Sequence, residues 1–419
     1  MKKKVLLIGS GGREHAIAWK LKESPLLGEL KVLPGNGGFA DEEVVAEKIN
    51  LRDRTSVQEY VQKEKYDLVV VGPEEPLVDG IADWMAEINV PCFGPSAYCA
   101  QVEGSKDFAK ALMAEAGVPT AGYATFSDGP SAKKYIEENS VPIVVKADGL
   151  AAGKGVTVAE TKEAALKAID EIFTEKIFGD QIVVIEDFLQ GEEASVFAIC
   201  DGDSFITLPA SQDHKRAYDG DKGPNTGGMG AYCPAPVVTR EVEKKIHDQV
   251  IRPVLDTFKK RGYPYRGVLY AGLMIHNGQP SVVEFNCRFG DPETQAVLRL
   301  LESDLLDIMM QCSRGELREK SVKLRPGAAT VIVLAAEGYP GSYKKNISLE
   351  IPGADDNNIH VFHAGTKKDN GLRSTGGRIL GISSVGSSLK ESVDKSYKYL
   401  SNFRIDGTFY RRDIAWRAL

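Results

Sequence analysis

Three side chains in one short segment, Glu284, Asn286 and Arg288, are suited to the chemistry of metal ions and phosphates. The segment continues a strand predicted over residues 279–283, and side chains alternate faces along a strand, so all three should project from one face. The opposite, apolar face would carry Val283, Phe285 and Cys287. Mg²⁺ prefers oxygen ligands and shares them with substrate phosphates, and a guanidinium binds the same anions. The segment therefore predicts a magnesium–phosphate site, with the solvated face of an edge strand as the alternative.

The composition is that of a globular protein with no general affinity for polyanions or membranes. The chain has 419 residues, a length typical of about three domains, and 42% of its residues are hydrophobic. A net charge of −7 argues against binding to nucleic acids or membrane surfaces. No apolar run approaches the ~18 residues that span a bilayer. The first lysines are followed by a short apolar stretch and then by glycine, so we expect no secretory signal.

Cysteine and histidine usage argues against a zinc site and against a disulfide framework. The six cysteines include no C-x-x-C pair, and the six histidines are equally scattered. We therefore expect buried or inert thiols and a cytoplasmic location. A monomer is the working expectation.

Three regions follow one another along the chain. Residues 1–103 alternate predicted strands and helices, and their continuous apolar strands imply a Rossmann-like parallel sheet with a ligand crevice at the carboxyl ends of the strands. Residues 104–326 predict an α+β domain with a long helix over 240–261 and a small, mobile subdomain inserted over about 121–190. Residues 327–419 predict a third, α+β domain.

The glycine-rich loop of residues 9–12 follows a strand and opens a helix, so its amides could hold a phosphate at the helix amino terminus. A dinucleotide fingerprint is disfavoured because Glu14 occupies the position of its third glycine, and because the second strand ends at Leu33-Pro34 without an acid for a ribose. A phosphate-bearing sugar fits this loop better than NAD. A tight turn without a ligand is the alternative.

Residues 143–156 combine an apolar strand, a glycine-rich loop and a second strand, and they lack the pattern of a Walker loop. They predict a β-hairpin flap that lies over a triphosphate. Lys146 emerges from the apolar strand, where an ammonium group requires an anionic partner, and we predict that this partner is phosphate. Lys154, in the loop, is either a phosphate ligand or a solvated lysine.

Two further stretches carry polar residues between apolar ones. Residues 182–195 run from a strand through an acidic bend into another strand, where backbone can pair with adenine and a carboxylate can accept both ribose hydroxyls. The alternative for Glu186 or Glu192 is an ordinary charged turn residue. Residues 211–216 and 224–230 are predicted to lie on one long loop without regular structure, and such loops are usually functional or disordered.

Taken in order, these motifs resemble the ATP-grasp ligase superfamily and, within it, the phosphoribosylamine–glycine ligase family. The resemblance extends over the whole chain. The segments that carry it are GSGGREHA (residues 9–16), PGNGG (34–38), GPEEPL (72–77), KADGLAAGKG (146–155), SQDHKR (211–216), GPNTGGMGAY (223–232), EFNCRFGDPETQ (284–295) and DIAWR (413–417).

The resemblance implies an ATP-dependent ligase that joins glycine to 5-phosphoribosylamine, giving glycinamide ribonucleotide, ADP and phosphate in the second step of de novo purine synthesis. A carboxylate does not acylate an amine in water, so ATP first phosphorylates glycine and the amine then attacks the glycyl phosphate. The implied cofactors are ATP and Mg²⁺ or Mn²⁺. The expected partners are these small molecules, with no nucleic acid and no membrane.

The resemblance also implies roles for individual residues. The residues implied to bind ATP are Lys106, Lys146, Gly153, Lys154, Gly155, Glu186, Asp187, Phe188 and Glu193. The implied metal ligands are Glu284 and Asn286. The residues expected to act in catalysis are Lys146, Asp213 and Arg288. The residues expected to bind glycine or phosphoribosylamine are Gly11, Gly12, Arg13, Asn36, Gly37, Glu74, Asp213, Arg288, Asp291 and Glu293.

One departure from the superfamily concerns the metal site. Many members carry a further acidic ligand on the preceding strand, but residues 268–275 contain no carboxylate. Phosphates and water would then complete the octahedron around a metal held by two protein ligands. The alternative functions are another ATP-grasp carboxylate–amine ligase, a dinucleotide-dependent oxidoreductase built on the first sheet, and a non-catalytic nucleotide-binding protein.

Overall fold

A computed structural model of the chain describes residues 2–150, 155–173, 182–318, 321–353, 358–403 and 405–419. Gly153 and Lys154, two of the implied ATP ligands, lie outside the described residues. Within these ranges, no helix combines the length and apolarity that crossing a membrane requires.

The amino-terminal part alternates strands and helices. Its elements are β1 (Lys3–Gly9), α1 (Gly12–Lys22), β2 (Leu27–Pro34), α2 (Arg54–Glu64), β3 (Leu68–Val71), α3 (Glu74–Val78), α4 (Ile81–Glu87), β4 (Cys92–Phe93) and α5 (Ala97–Gly104). The strands pair in parallel in the order β2-β1-β3-β4. The predicted parallel sheet is confirmed, and the loops that begin after β1, β2 and β3 meet at its carboxyl edge.

A small antiparallel sheet follows in the chain. Its part contains α6 (Lys106–Ala116), β5 (Tyr123–Phe126), α7 (Gly129–Glu138), β6 (Ile143–Ala147), β7 (Val156–Ala159), α8 (Lys162–Phe173) and β8 (Val183–Asp187). The strand order is β5-β8-β6-β7, and the apolar sides of α7, α8 and these strands share a core of their own. The hairpin predicted over residues 143–156 is confirmed as β6 and β7, with Lys146 opposite Val156.

A larger antiparallel sheet has the order β10-β9-β15-β16. This part contains β9 (Glu192–Asp201), β10 (Phe205–Thr207), β11 (Gln212–Asp213), β12 (Arg216–Tyr218), β13 (Lys222–Asn225), β14 (Gly230–Cys233), α9 (Arg240–Ile246), α10 (Arg252–Lys260), β15 (Arg266–His276), β16 (Gln279–Asn286), α11 (Thr294–Leu300) and α12 (Leu305–Arg314). The long helix predicted over 240–261 is present, with a π-helical turn, His247–Ile251, joining α9 to α10. Pro253 lies near the start of α10, where its missing amide hydrogen interrupts the α-helical ladder.

The prediction of one irregular loop over residues 211–230 was wrong. The stretch forms β11, the β12–β13 hairpin and β14. β14 pairs with the strand Ala328–Ala336, almost a hundred residues later, and β11 pairs with β14. Glycines and charged residues hide any strand periodicity here, so the pairing depends on a partner that local sequence does not reveal.

The carboxy-terminal part completes that sheet. It contains β17 (Ala328–Ala336), β18 (Ile359–His363), β19 (Thr366–Lys368), β20 (Leu372–Ser374), β21 (Arg378–Gly386), α13 (Leu389–Leu400), β22 (Thr408–Phe409) and a 3₁₀ turn, Trp416–Ala418. The sheet has the order β11-β14-β17-β21-β18, with β22 on β17. One sheet thus extends across residue 326, and the proposed domain limits at 103 and 326 stay predictions.

The alternation predicted around Glu284 also needs one correction. The register of β16 against β15 shifts between Val282 and Glu284, so Val283 is an extra residue in the strand. A bulge of this kind re-aims side chains, and it lets Val282 and Phe285, three positions apart, both enter the core. Cys287 is buried there as expected, whereas Val283 stays outside that core.

Three histidines pack together where α1 meets β18. The ring centroid of His15 lies 5.4 Å from that of His363 and 6.1 Å from that of His360, and the His363 amide donates to His15 Nδ1 at 2.8 Å. Burial lowers the pKa of His15 well below its usual value. Burial, with nearby cations, lowers the pKa of His360 and of His363 to about 4. The contact is therefore built for neutral imidazoles.

We expect this cluster to make the protein less stable as the pH falls. An unfolded histidine takes up a proton near pH 6.5 but His360 does so at about 4 when folded, so its contribution to stability is complete above pH 6.5 and is lost on the way down to pH 4. The free energy of unfolding is measured in urea at pH 7 and at pH 5. We expect it to fall between these pH values by roughly 1–2 kcal/mol less in His360→Gln than in the wild type. Replacing the exposed His276 with glutamine is the control, and equal losses in the wild type and the His360 variant would contradict the prediction.

Candidate active site

Lys146 on β6 pairs with a carboxylate of the protein itself. Its Nζ lies 2.9 Å from Oε1 of Glu186 and 3.1 Å from the carbonyl oxygen of Val283 in β16. Nζ of Lys110 lies 3.3 Å from the other oxygen of Glu186, and all three charged side chains are buried. Glu186 is thus an anionic partner of Lys146, which corrects the prediction that this partner is phosphate; because Lys110 shares the single charge of Glu186, the three groups keep a net positive charge. The alternative that Glu186 is an ordinary charged turn residue is wrong as well.

Lys106, the first residue of α6, forms hydrogen bonds with Asp148 and Gly149 at the start of the glycine-rich loop. Its Nζ donates to the carbonyl of Gly149 at 2.9 Å, and its amide donates to the carboxylate of Asp148. Burial lowers the pKa of Lys106, although the carboxylates of Glu284 and Asp148 oppose the effect. Gly155, at the other end of the loop, is buried. Lys106 therefore lies beside the glycine-rich loop and within reach of the field of Glu284, and its implied contact with ATP stays a prediction.

The predicted adenine and ribose positions lie on the connection from β8 to β9. The amide of Asp187 donates to the carbonyl of Gly122 at 2.9 Å, and the ring of Phe188 is exposed. Oε2 of Glu193 lies 2.6 Å from Nζ of Lys215. Glu193 is thus paired with a lysine that sequence reasoning had not singled out, although that lysine lies inside the SQDHKR motif.

Glu284 and Asn286 project from β16 opposite Gly272 and Tyr270 of β15. A Cβ added to Gly272 would lie 3.2 Å from Glu284 Cγ, so glycine leaves room for the carboxylate. Burial alone would raise the pKa of Glu284, but the fields of Lys215, Lys146, Arg288 and Lys106 outweigh it and lower the pKa. An ionised carboxylate beside an amide oxygen fits a hard cation that takes further oxygens from phosphate. Among the described residues, no group of three His, Cys, Asp or Glu side chains forms a metal cluster.

Arg288 is held by two carboxylates. Its Nε lies 3.2 Å from Oε2 of Glu74, and its Nη2 lies 2.8 Å from Oε1 of Glu103. Glu103 also accepts the amide hydrogen of Cys287 at 2.7 Å. Burial raises the pKa of Glu103 despite Arg288. Sequence reasoning missed Glu103, because nothing near it in the chain signals a partner 185 positions away.

The loop of residues 9–12 is hydrogen-bonded to the carboxylate of Glu14. The Gly11 amide donates to Oε2 of Glu14 at 2.5 Å, and Nε of Arg13 lies 2.5 Å from Oε1. A Cβ on Gly72 would collide with the same carboxylate. The Gly11 amide is therefore committed to Glu14, which corrects the expectation that it is free to bind a phosphate; Gly12 begins α1 beside it.

A cleft of about 480 Å³ opens beside this loop. Its lining combines predicted substrate residues with others that were not predicted: Gly9, Ser10, Gly11, Arg13, Glu14, Pro34, Ile49, Asn50, Leu51, Arg52, Pro73, Glu75, Pro76, Asp79 and Asp291. The segment of residues 49–52 lacks glycine and any motif, so it gave no signal in the sequence.

Asn36 and Gly37 form hydrogen bonds between the amino- and carboxy-terminal parts. Nδ2 of Asn36 donates to the carbonyls of Ser10 and His363, both at 2.8 Å, and the Gly37 amide donates to that of Thr366 at 3.1 Å. They border a second hollow, of about 370 Å³, rather than the larger cleft. Asn36 and Gly37 therefore lie apart from the predicted substrate-binding residues that line the larger cleft.

Two acids beyond β16 are anchored by polar side chains. Oε1 of Glu293 accepts hydrogen bonds from Ser195 at 3.1 Å and from Tyr270 at 3.0 Å. Oδ2 of Asp291 lies 3.1 Å from Nη2 of Arg378, which belongs to β21. The carboxy-terminal part thus reaches the edge of the cleft.

Asp213 lies among charges of both signs. The pKa of Asp213 is raised to about 7, mainly by burial; Lys215 opposes the shift, and Glu293, Glu193 and Glu284 add to it. The structure therefore brings Asp213, Glu193, Glu284 and Lys215 into one electrostatic environment, with Lys106, Lys146 and Arg288 acting on the same Glu284. Such an array can neutralise a polyphosphate on one side and bind a small zwitterion on the other.

Comparison with known proteins identifies one family along the chain. Models of the phosphoribosylglycinamide synthetase N domain, ATP-grasp (A) domain and C domain match residues 3–103, 104–294 and 329–417. A phosphoribosylamine–glycine ligase of Leptospira interrogans is 58% identical over 424 aligned residues, with 100% of each chain covered.

Solved structures share the architecture. The crystal structure of phosphoribosylamine–glycine ligase from Thermotoga maritima has a TM-score of 0.86 at 35% identity, covering 98% of this chain and 100% of that chain. The biotin carboxylase domain of Hydrogenobacter thermophilus 2-oxoglutarate carboxylase has a TM-score of 0.75 at 19% identity, covering 98% and 92%, and it shows a common fold.

Proposed function

Because this chain belongs to the phosphoribosylglycinamide synthetase family, we propose that it is an ATP-dependent ligase that joins glycine to 5-phosphoribosylamine through a glycyl phosphate. The observation that carries the proposal is the ionised Glu284, with Asn286 beside it, in the combined field of Lys106, Lys146, Lys215 and Arg288. That array matches the main task of the first step, which is to neutralise a transferring phosphoryl group.

In the first step a glycine carboxylate oxygen attacks the γ-phosphorus of ATP, the bond from that phosphorus to the bridging oxygen breaks, and ADP leaves. Lys106 and Lys146 are proposed to bind the phosphates beneath the β6–β7 hairpin, with Gly153, Lys154 and Gly155 in its loop. Glu186, Asp187 and Phe188 are proposed to border the adenine base of ATP, and Glu193 is proposed to bind the ribose. Glu284 and Asn286 would hold Mg²⁺ or Mn²⁺, which when bound neutralises phosphate charge and orients the transferring group.

In the second step the ribosylamine nitrogen attacks the glycyl carbon, phosphate leaves, and the nitrogen loses a proton. Arg288, already oriented by Glu74 and Glu103, is proposed to bind the acyl phosphate, since its planar fork suits such an anion. Asp213 is proposed to bind an amino group. The larger cleft, bordered by Gly11, Arg13 and Asp291, is proposed for phosphoribosylamine.

Release of phosphate decides between this ligase and its alternatives. Purified protein with ATP and Mg²⁺ should release phosphate at the full rate when glycine and phosphoribosylamine are both present, and glycinamide ribonucleotide should form in equal amount. Alanine or another carboxylate in place of glycine is the control. Faster turnover with another carboxylate–amine pair would identify a different ligase, and no turnover with any pair would favour a binding protein.

We expect metal to bind weakly unless a nucleotide is present. Glu284 and Asn286 offer two direct ligands, and β15 contributes no carboxylate beside them. Titration calorimetry of the nucleotide-free protein should therefore give a Mg²⁺ or Mn²⁺ dissociation constant on the order of 1 mM or weaker, tightening by at least tenfold with a non-hydrolysable ATP analogue. Tight uptake without nucleotide would contradict this coordination.

The remaining parts of the proposal concern location and assembly. Six free cysteines, five of them buried, suit a reducing, cytoplasmic environment. We further propose that the protein acts as a monomer. Light scattering coupled to size-exclusion chromatography tests this, and a mass of about twice 45.5 kDa would contradict it.

A further inference from the structure

A buried arginine in the carboxy-terminal segment of residues 411–417, here called the carboxy-terminal brace, sits at the centre of an ion network. Nε and Nη2 of Arg411 each lie 2.8 Å from an oxygen of Asp413. Nη1 lies 3.0 Å from Oδ1 of Asp221 and donates to the carbonyl of Arg216 at 3.0 Å. Its side chain has no exposed surface. The side chain of Arg411 thus joins the brace to both a side chain and a backbone carbonyl of the β12–β13 hairpin.

Further contacts lie along the same seam. The carboxylate of Asp413 accepts the Gly220 amide at 2.8 Å, and the Arg412 amide donates to Asp219 at 2.7 Å. Arg417 lies 2.5 Å from Asp221. The turn of the hairpin is therefore held at several points by a segment nearly two hundred residues away.

The brace also holds the ring of His214. The Ala415 amide donates to Nε2 of His214 at 2.9 Å, so the proton of the neutral ring is on Nδ1; that nitrogen lies 3.8 Å from Oδ1 of Asp221 and makes no hydrogen bond within the described residues. Burial lowers the pKa of His214 and keeps it neutral. Ala415 adopts a φ of 71°, a conformation that fits the brace to this ring. One face of the segment around His214 is therefore fixed by the carboxy terminus.

The neighbours of His214 belong to the candidate active site. Asp213, the last residue of β11, and Lys215 flank His214 in the short connection between β11 and β12. Nζ of Lys215 lies 2.6 Å from Glu193, and the Lys215 carbonyl accepts hydrogen bonds from Thr226 at 2.7 and 2.8 Å. The position of His214 thus sets that of two charged groups that act on Glu284.

We propose that Arg411 is a positioning residue for the ligation: it fixes the carboxy-terminal brace, whose Ala415 amide holds His214, and thereby orients the neighbouring Asp213 towards the amino group of glycine. This inference rests on the proposed function, because that function assigns Asp213 to an amino group. It extends that function to the last residues of the chain, which lie outside the nucleotide site.

The chemistry of the network favours a geometric role over a purely stabilising one. A buried ion network adds little stability relative to apolar side chains of similar volume, because desolvation offsets most of the attraction. A planar guanidinium with several fixed partners, in contrast, defines direction as well as distance. A displacement of ~1 Å at a reacting group can reduce the rate on the order of 100-fold.

The test compares Arg411→Met and Arg411→Lys with Arg412→Met, whose side chain is exposed. Kinetic constants are measured per folded site at a temperature well below the melting temperature of each variant. We expect Arg411→Met to lower kcat/KM for glycine at least tenfold while the KM for ATP rises by less than about fivefold, since Lys215 also pairs with the proposed ribose ligand Glu193, and we expect Arg411→Lys to recover part of the loss. The Arg412 variant should match the wild type.

Each outcome decides between the readings. A lower melting temperature with unchanged kcat/KM for glycine would make Arg411 a purely structural residue and overturn the inference. An equal rise in the KM for ATP and the KM for glycine would also overturn the inference. If Arg411→Met does not fold, Asp413→Asn, which keeps the shape but removes one charge of the network, is measured against the same criterion. A wild type that does not ligate glycine fails the proposed function itself, whichever way the variants behave.

Discussion

Replacing Glu284 with glutamine is expected to abolish turnover while leaving the fold intact. The substitution keeps the size of the side chain but removes the anionic oxygen that faces Lys215, Lys146, Arg288 and Lys106. One of two proposed metal ligands loses its charge, and the phosphoryl group would have to transfer without a correctly held cation. We expect kcat to fall at least about 1000-fold at saturating Mg²⁺. The measurement is phosphate release, together with circular dichroism to verify the fold.

The matched control is Glu302→Gln, the same chemical change at an exposed position between α11 and α12. It should retain wild-type kcat. Near-normal activity of Glu284→Gln in saturating metal would show that the carboxylate is not a ligand. The face of β16 would then have to be interpreted as a structural surface.

Replacing Lys146 with methionine should have two separable effects. We expect the KM for ATP to rise about tenfold and kcat to fall about 100-fold, because a phosphate-neutralising charge is lost. We also expect the free energy of unfolding to drop by roughly 1–3 kcal/mol, because Glu186 and the carbonyl oxygen of Val283 each lose a buried hydrogen-bond donor. Steady-state kinetics and urea unfolding measure the two effects independently.

The double variant Lys146→Met/Glu186→Gln separates these roles. Removing the buried carboxylate as well leaves Lys110 without its carboxylate partner, so the double variant should be less stable than Lys146→Met alone. Activity should stay low in both variants, because the phosphate ligand is absent from both. Activity that falls in proportion to stability across the two variants would mean that Lys146 acts only through the fold. Lys134→Met, on the exposed side of α7, controls for loss of a lysine in the same part of the chain.

The nucleotide-site geometry was predictable where function and local structure share one short segment. Glu284 and Asn286 are two residues apart on β16, and the strand period alone places them on one face, whereas Arg288 lies beyond the end of the strand. The β6–β7 hairpin was equally readable, because two apolar strands flank one glycine-rich loop. Both are confirmed as local structure, whereas the roles of these residues in catalysis stay predictions.

Contacts between distant segments could not be obtained in this way. Nothing near Lys146 indicates that Glu186 is its partner, and nothing near Arg288 indicates Glu103. The strand β14 escaped notice because its partner β17 begins almost a hundred residues later. Val283 was misplaced because a bulge depends on how β16 meets β15, which alternation within one strand does not encode.

Sequence by itself determined the family motifs, the parallel first sheet, the glycine hairpin and the row of ligands on β16, since each depends on periodicity or spacing within a few turns of chain. The tertiary structure alone decided which charges are neutralised inside the protein, that Glu14 takes up the Gly11 amide, and that the carboxy-terminal brace holds the segment carrying Asp213 and Lys215. The physical reason is range: side-chain periodicity is a local property, whereas burial and ion pairing depend on which distant segments the folded chain brings together.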